Sequence, residues 1–333
     1  MTEITNDEKR VTSNASADEI TEAIKRAGTI LVCGHIRPDG DCVSSALAVK
    51  SLCEKLGKQA DAVCDLNDDK PDNLGHLRGY DDFGKTRFEY YDLFIAVDCA
   101  TVKRLGKYKQ YLDDAANSIN IDHHPTNERY GAINHIEADA SSTCAIVFGL
   151  FENSELIDKD IAAMLYTGLS TDTGHFMHAN TDSKVFGIAE KLSKYGLDIG
   201  GINNELYCSK SYPRIKLTAR ALEGIKLYED GAIALMTITQ ADLKSCGCKS
   251  DDTEGLIDYA SSIRGVKISI AICEQVGGGQ FRVSLRAKTV NVAAVAETFG
   301  GGGHKLAAGC IIFGAKDFVE KKVVEAASAA LQQ

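Results

Sequence analysis

Short apolar runs alternate with helical stretches along the first half of this chain, and several of the runs stop at an acid or an imidazole. This pattern restricts the fold more than any other feature. Thr29 to Gly34, Gln59 to Cys64, Leu93 to Val97 and Asn117 to Ile121 read as buried strands. A helix with Ser16 near its N-cap precedes them. Ser44 to Leu56, Ser142 to Phe151, Asp160 to Leu169 and Ser183 to Tyr195 read as further helices, and Gly57 closes the first of these. Strands alternating with helices predict a parallel α/β sheet. Such sheets bind ligands outside the carboxyl ends of their strands. His35, Asp98 and Asp122 each fall at that end of a run, and Pro125 stops the last one.

The second half carries a different pattern. Gly196 to Glu205, with its three glycines and two asparagines, marks a break, and a helix is expected from Ser211 to Ile225 with Pro213 in its first turn. A second α/β unit begins at Ala232 to Ile238, and Val266 to Glu274 and Gln280 to Ala287 read as strands joined through Gly277-Gly278-Gly279. Next come Phe299-Gly300-Gly301-Gly302-Gly303-His304, a strand from Cys310 to Phe313, and a helix from about Asp317. The fold class expected is α/β. A parallel-sheet domain spans 1–195, a helical connector 196–226 and a smaller α/β domain 227–333, with an interdomain cleft. The 333 residues favour two domains. Residues 1 to about 16 read as a polar arm.

Composition narrows the setting. A net charge of −10 argues against coating long nucleic acid or an anionic membrane. It permits a small anionic substrate if bound cations supply local positive charge. The eleven cysteines sit mostly in apolar contexts, which suits reduced thiols in the cytoplasm. No stretch has the length of a membrane span, and no apolar signal core opens the chain.

The chemistry concentrates at the strand ends. His35, Asp39 and Asp41 form an H-x-x-x-D-x-D loop in which Gly40 permits the turn. With Asp98, His123 and Asp172 they make two imidazoles and four carboxylates, enough for two divalent ions. Mixed imidazole and carboxylate ligation suits manganese better than a thiolate-rich zinc site. Taken singly, each residue has an ordinary structural reading: a histidine at a strand end, a solvated D-x-D turn, a helix-capping aspartate. Their convergence on one sheet edge favours a metal site. The glycine run reads either as a flexible surface loop or as backbone N–H groups that approach an anion, aided by the dipole of the helix expected after it. Arg286 and Lys288, with Arg264 before the strand at Val266, would add a small basic patch for a phosphate.

These motifs, in this order, resemble the DHH phosphoesterase family, in the subgroup with a glycine-rich DHH-associated second domain. The resemblance rests on His35-Ile36-Arg37-Pro38-Asp39-Gly40-Asp41, Val97-Asp98, Asp122-His123-His124, Ser170-Thr171-Asp172-Thr173-Gly174 and Gly300-Gly301-Gly302-Gly303-His304. The nearest type is the bacterial nanoRNase, an oligoribonuclease that is also a phosphatase for adenosine 3',5'-bisphosphate. The family implies two manganese ions. His35 and Asp39 would hold one, Asp41, His123 and Asp172 the other, with Asp98 bridging. It also implies that His124 contacts the scissile phosphate or assists the leaving group, and that Asp122 orients the histidines. Arg286, Gly301, Gly302, Gly303 and His304 match the family's substrate-binding surface, and Arg264 matches more weakly. Ser44 and Ala145 stand where a glycine and an acid are usual. The implied activity is hydrolysis of short single-stranded RNA to mononucleotides and removal of the 3'-phosphate from adenosine 3',5'-bisphosphate. A phosphodiesterase for cyclic dinucleotides or their linear products is the alternative within the family. A non-catalytic nucleotide sensor is the alternative outside it. The chain could assemble as a homodimer.

Overall fold

The computed structural model describes residues 13–66 and 70–332. Most of the polar arm expected at residues 1 to about 16 lies outside the described residues. Its last part is tied down: the Asn14 side chain and the Ala15 N–H donate to the Ile136 and Asn134 carbonyls. The chain divides into two compact units, Met1–Ser209 and Lys210–Gln333. The division falls inside the stretch expected as a connector. Ile202 and Leu206 join the core of the first unit, and Leu217 and Ala221 that of the second.

The first unit runs α1 (Ala17–Arg26), β1 (Thr29–Cys33), α2 (Gly40–Lys55), β2 (Gln59–Val63), β3 (Leu93–Val97), α3 (Lys109–Asp114), β4 (Asn117–Asp122), β5 (Ile133–Ile136), α4 (Thr143–Phe151), α5 (Lys159–Asp172), α6 (Ser183–Ser193) and α7 (Ile199–Asn203). Its sheet has the order β2-β1-β3-β4-β5 and is parallel throughout. Strand β5, only four residues long, escaped the sequence reading because too few residues carry its periodicity. The order reverses between β1 and β3, which makes their carboxyl ends the switch point where such sheets open a crevice. His35 follows β1, and Asp98 follows β3.

Helix α2 is apolar almost all round, from Val43 to Cys53, and is buried accordingly. It starts earlier than expected, so Asp39 becomes its N-cap and Asp41 enters its first turn. Helix α5 runs past Leu169 through Asp172, so Asp172 reaches the crevice from a helix end instead of a loop. The two helices meet at Gly40, where a Cβ would stand 2.5 Å from the Thr171 methyl carbon. Glycine there lets the start of α2 approach the end of α5.

The second unit runs α8 (Tyr212–Glu223), β6 (Lys226–Tyr228), β7 (Ile233–Ile238), α9 (Gln240–Cys246), α10 (Leu256–Ser262), β8 (Ile268–Glu274), β9 (Gln280–Ala287), α11 (Val292–Glu297), β10 (Gly302–His304), β11 (Ala307–Phe313) and α12 (Lys316–Leu331). The sheet order is β10-β11-β9-β8-β7-β6, antiparallel except for β7 beside β8. Helices α11 and α12 pack Val292, Val295, Val319 and Val323 on one face. Leu217, Leu243 and Leu256, from α8, α9 and α10, form a second core with Met236 and Ala271.

The glycine run departs from its expected setting. No helix starts after it. Gly302–His304 is a strand, paired antiparallel with β11, and the helix beside it, α11, precedes it. The helix-dipole argument therefore does not apply. A Cβ on Gly301 would lie 2.3 Å from the Gly309 carbonyl oxygen, and one on Gly303 2.6 Å from that of Ala307. Both glycines answer to the close approach of the neighbouring strand.

Candidate metal centre

Three imidazoles are aimed into the crevice by the same device. Nδ1 of His35 lies 2.8 Å from the Ile36 carbonyl, Nδ1 of His123 3.3 Å from that of Ala140, and Nδ1 of His124 2.8 Å from an Asp122 oxygen. These partners only accept, so Nδ1 carries a proton in each ring and Nε2 is the nitrogen turned toward the crevice. Asn127 donates to the other Asp122 oxygen at 2.5 Å, which holds that carboxylate against His124.

Asp98 lies at the centre. One of its oxygens is 3.4 Å from Nε2 of His35; the other is 3.4 Å from Nε2 of His123 and 3.6 Å from Nδ1 of His124. It takes a left-handed backbone conformation with φ of 52°. Few residues other than glycine do so, and such strain gathers at functional sites. The Thr143 hydroxyl donates to Asp98 at 3.1 Å. The first two backbone N–H groups of α4, from Thr143 and Cys144, donate to the two oxygens of buried Asp41 at 2.7 and 3.0 Å. Asp172 is 3.2 Å from Nε2 of His123. Asp39 is the most open member. One of its oxygens caps α2, and the other lies 3.8 Å from Nε2 of His35.

The electrostatics favour a cation. Burial, then repulsion from Asp98, pushes the Asp41 carboxyl up to about 7. Burial and then Asp41, Asp39 and Asp98 push Asp172 well up. Burial would also raise Asp98, but hydrogen bonds and charge from His123 and His35 outweigh it and hold it low. Burial would lower His123, yet Asp98, Asp41 and Asp172 carry it up to about 10. Carboxylates crowded at this depth repel one another unless positive charge lies between them. The donor set of imidazole nitrogen and carboxylate oxygen fits a divalent ion.

Donor atoms lie within 4.8 Å of one another in three groups: Asp41, His123 and Asp172; Asp98, His123 and His124; and His35, Cys42 and Asp98. The fold thus gathers His35, Asp41, Asp98, His123, His124 and Asp172, with Asp39 at the margin and Asp122 behind His124. The sequence reading passed over Thr143 and Asn127, whose roles depend on partners distant in the chain, and over Cys42, whose thiol also lies close to His35.

In the second unit, cross-strand pairing aligns His304, Ala307 and Arg286 in one row on the same sheet face. Arg286 and His304 are exposed, and Gly302 shares that face. Arg264 is exposed in the turn after α10.

Comparison with known proteins agrees with this geometry. Residues 29–169 match the DHH family, N-terminal domain, and residues 236–333 match the DHHA1 domain. A protein of Streptococcus mutans named probable bifunctional oligoribonuclease and PAP phosphatase NrnA is 31% identical, over 87% of this chain and 91% of its own length. The chain belongs to the DHH family. A second relative, the bifunctional oligoribonuclease and PAP phosphatase NrnA of Bacillus subtilis, is 26% identical over 89% of this chain and 93% of its own. Among solved structures, an exopolyphosphatase-related protein from Bacteroides fragilis superposes with a TM-score of 0.87. It is 26% identical and covers 96% of this DHH-family chain and 97% of its own.

Proposed function

We propose that this chain is a phosphoesterase that hydrolyses short oligoribonucleotides to mononucleotides and removes the 3'-phosphate of adenosine 3',5'-bisphosphate. The observation that carries this reading is Asp98, whose two oxygens face different imidazoles at the switch point of the sheet. The names of the relatives from Streptococcus mutans and Bacillus subtilis support the substrate class.

On this reading two divalent ions, manganese by the donor chemistry, are held by His35, Asp39, Asp41, Asp98, His123 and Asp172. When bound, they would supply Lewis-acid charge to the phosphoryl oxygens and lower the pKa of the attacking water. Asp98 would be shared between them. Asp122, kept in place by Asn127, holds the His124 ring through Nδ1, and on this reading Nε2 would face the scissile phosphate or the leaving oxygen. Arg286 and His304, with the backbone at Gly301, Gly302 and Gly303, would hold the part of the nucleotide away from the cleaved bond, with Arg264 a weaker contributor. Eleven free thiols suit a reducing cytoplasm. No helix among the described residues is long and apolar enough to cross a membrane.

The test is a manganese-supplemented turnover panel of short RNAs, adenosine 3',5'-bisphosphate, linear and cyclic dinucleotides, and pyrophosphate. Mononucleotide release from short RNA, with phosphate release from the bisphosphate, is the expected result. Turnover of cyclic dinucleotides alone would redirect the reading to that substrate. Binding without turnover of any member would make the chain a sensor.

A further inference from the structure

Strand β4 turns Ser118, Asn120 and Asp122 to one sheet face and Ile119 and Ile121 to the other, where they join the main core of the first unit. Asn120 is fully buried, and it lies on the same face as the carboxylate that holds His124. A single amide spans the two. Oδ1 of Asn127 accepts from Nδ2 of Asn120 at 3.2 Å and from the Arg129 N–H at 2.6 Å. Nδ2 of Asn127 donates to Asp122 at 2.5 Å and to the Cys99 carbonyl at 3.3 Å. Every donor and acceptor position of this amide is taken.

The amide fits only one way round. Reversed, Asn127 would set its oxygen against the Asp122 carboxylate, and its NH2 group against the Asn120 NH2 and the Arg129 N–H. Asn120 therefore helps to decide which end of Asn127 meets Asp122. It does so against the interest of the fold. Its own Oδ1 is buried without a hydrogen-bond partner among the described residues, and a buried acceptor left unpaired is destabilising. Its neighbour on β3 is buried Ala96, so leucine, of similar volume, would suit the surroundings. A polar side chain kept in such a place has a use outside packing.

Other parts of the centre do not hang on this bond. The Cys99 carbonyl, beside Asp98, also accepts from the Tyr130 hydroxyl at 3.0 Å, and the Glu128 N–H donates to the Ala100 carbonyl at 2.9 Å. The turn that carries Asp98 keeps these ties if the Asn127 amide loosens. The Asp122 side chain, by contrast, has Asn127 and His124 as its hydrogen-bonding partners among the described residues.

We propose that Asn120 is a positioning residue which, through Asn127 and Asp122, sets the orientation of the His124 ring toward the phosphate. The inference rests on the proposed function and deepens it: His124 is held from the interior of the first unit by this line of side chains, while the metal ligands are held by other groups. Loss of Asn120 should therefore cost rate and spare the binding of metal and substrate.

Steady-state turnover of a short RNA at saturating manganese, and calorimetric titration of the metal-free protein with manganese, are measured for wild type, Asn120→Leu, Asn127→Ala and the double variant. Asn120→Leu should lower kcat about tenfold and leave KM and the manganese Kd within about twofold of wild type. Added to Asn127→Ala it should lower kcat no further, because the line is already cut. Asn120→Val, which suits a strand, takes the place of leucine if that variant does not fold. Losses that add in the double variant, or a kcat that falls only together with manganese affinity, would show a packing role and overturn the proposal. Wild-type kcat in the Asn120 variant would also overturn it. A second readout needs no turnover. In NMR spectra of the metal-free protein, the Nδ1 proton of His124, assigned by its absence from His124→Ala, should shift or broaden in Asn120→Leu, and an unchanged resonance overturns the proposal. Turnover by wild type with neither effect in the variant removes the positioning role and leaves the proposed function. A wild type that turns over no short RNA removes the proposed function, and the resonance then decides the coupling by itself.

Discussion

Replacing Thr143 by Val tests the centre through a residue that touches neither metal nor substrate in the proposed scheme. Thr143 is fully buried, and its hydroxyl donates at 3.1 Å to the Asp98 oxygen that faces His123. Val removes that donor and keeps the size of the side chain. The Thr143 backbone N–H still binds Asp41, so that carboxylate stays in place. A hydrogen bond to a charged group contributes about 1.5–3 kcal/mol. Loss of an outer partner of a ligand typically lowers metal affinity about 10–100-fold, or roughly 1.4–2.7 kcal/mol. Two independent lines thus give the same range. Isothermal titration of the metal-free protein with manganese should show Kd raised 10–100-fold in Thr143→Val and little changed in Thr143→Ser. Turnover of a short RNA should recover most of its wild-type rate as manganese is raised. A Kd within twofold of wild type would refute the idea that Thr143 fixes Asp98. A rate that no manganese concentration restores would show that the hydroxyl does something other than support a ligand.

Three further outcomes are expected. Asp98→Asn and His123→Ala should each lower manganese-dependent turnover at least about a hundredfold with circular dichroism unchanged, and near-wild-type rates would rule out the shared-carboxylate scheme. Manganese at about 100 times its Kd should stabilise the first unit by about 2.7 kcal/mol, a Tm rise of roughly 5–10 °C for a unit of this size that chelation reverses; no shift in calorimetry would refute metal binding to the folded state. Acid should weaken the second unit through Glu320. Burial would raise its carboxyl, but the Lys226 ammonium and the Thr237 hydroxyl hold it below the usual range. A depressed folded pKa contributes stability above the unfolded value of about 4.3 and loses it as pH falls through the folded one. The urea midpoint difference between wild type and Glu320→Gln should therefore shrink as the pH falls below about 4, and a constant difference would refute the linkage.

Much of the catalytic unit was legible in the chain because its information is local. β1 and β3 are runs of mostly apolar residues and β4 buries Ile119 and Ile121, and the polar side chain that follows each must emerge at the strand end. That placed His35, Asp98, Asp122 and the two histidines after it. Asp172 was legible only as a motif, since nothing local says that α5 continues through it. The second unit was less readable. Three residues of β10 carry no usable period, and glycines chosen for strand packing look the same in sequence as glycines chosen for a ligand.

The sequence by itself determined the alternation of strands and helices, the polar ends of the strands and the supply of imidazoles and carboxylates. Only the tertiary structure decided that β1 and β3 are neighbours at a reversal of strand order, that Thr143 and Asn127 hold Asp98 and Asp122, and that Arg286 and His304 share one sheet face. The reason is physical. Burial and backbone propensity act within a few residues, so they leave a periodic trace along the chain. Strand order, register and the partners of a buried carboxylate are contacts between distant segments, and they exist only once the chain has closed on itself.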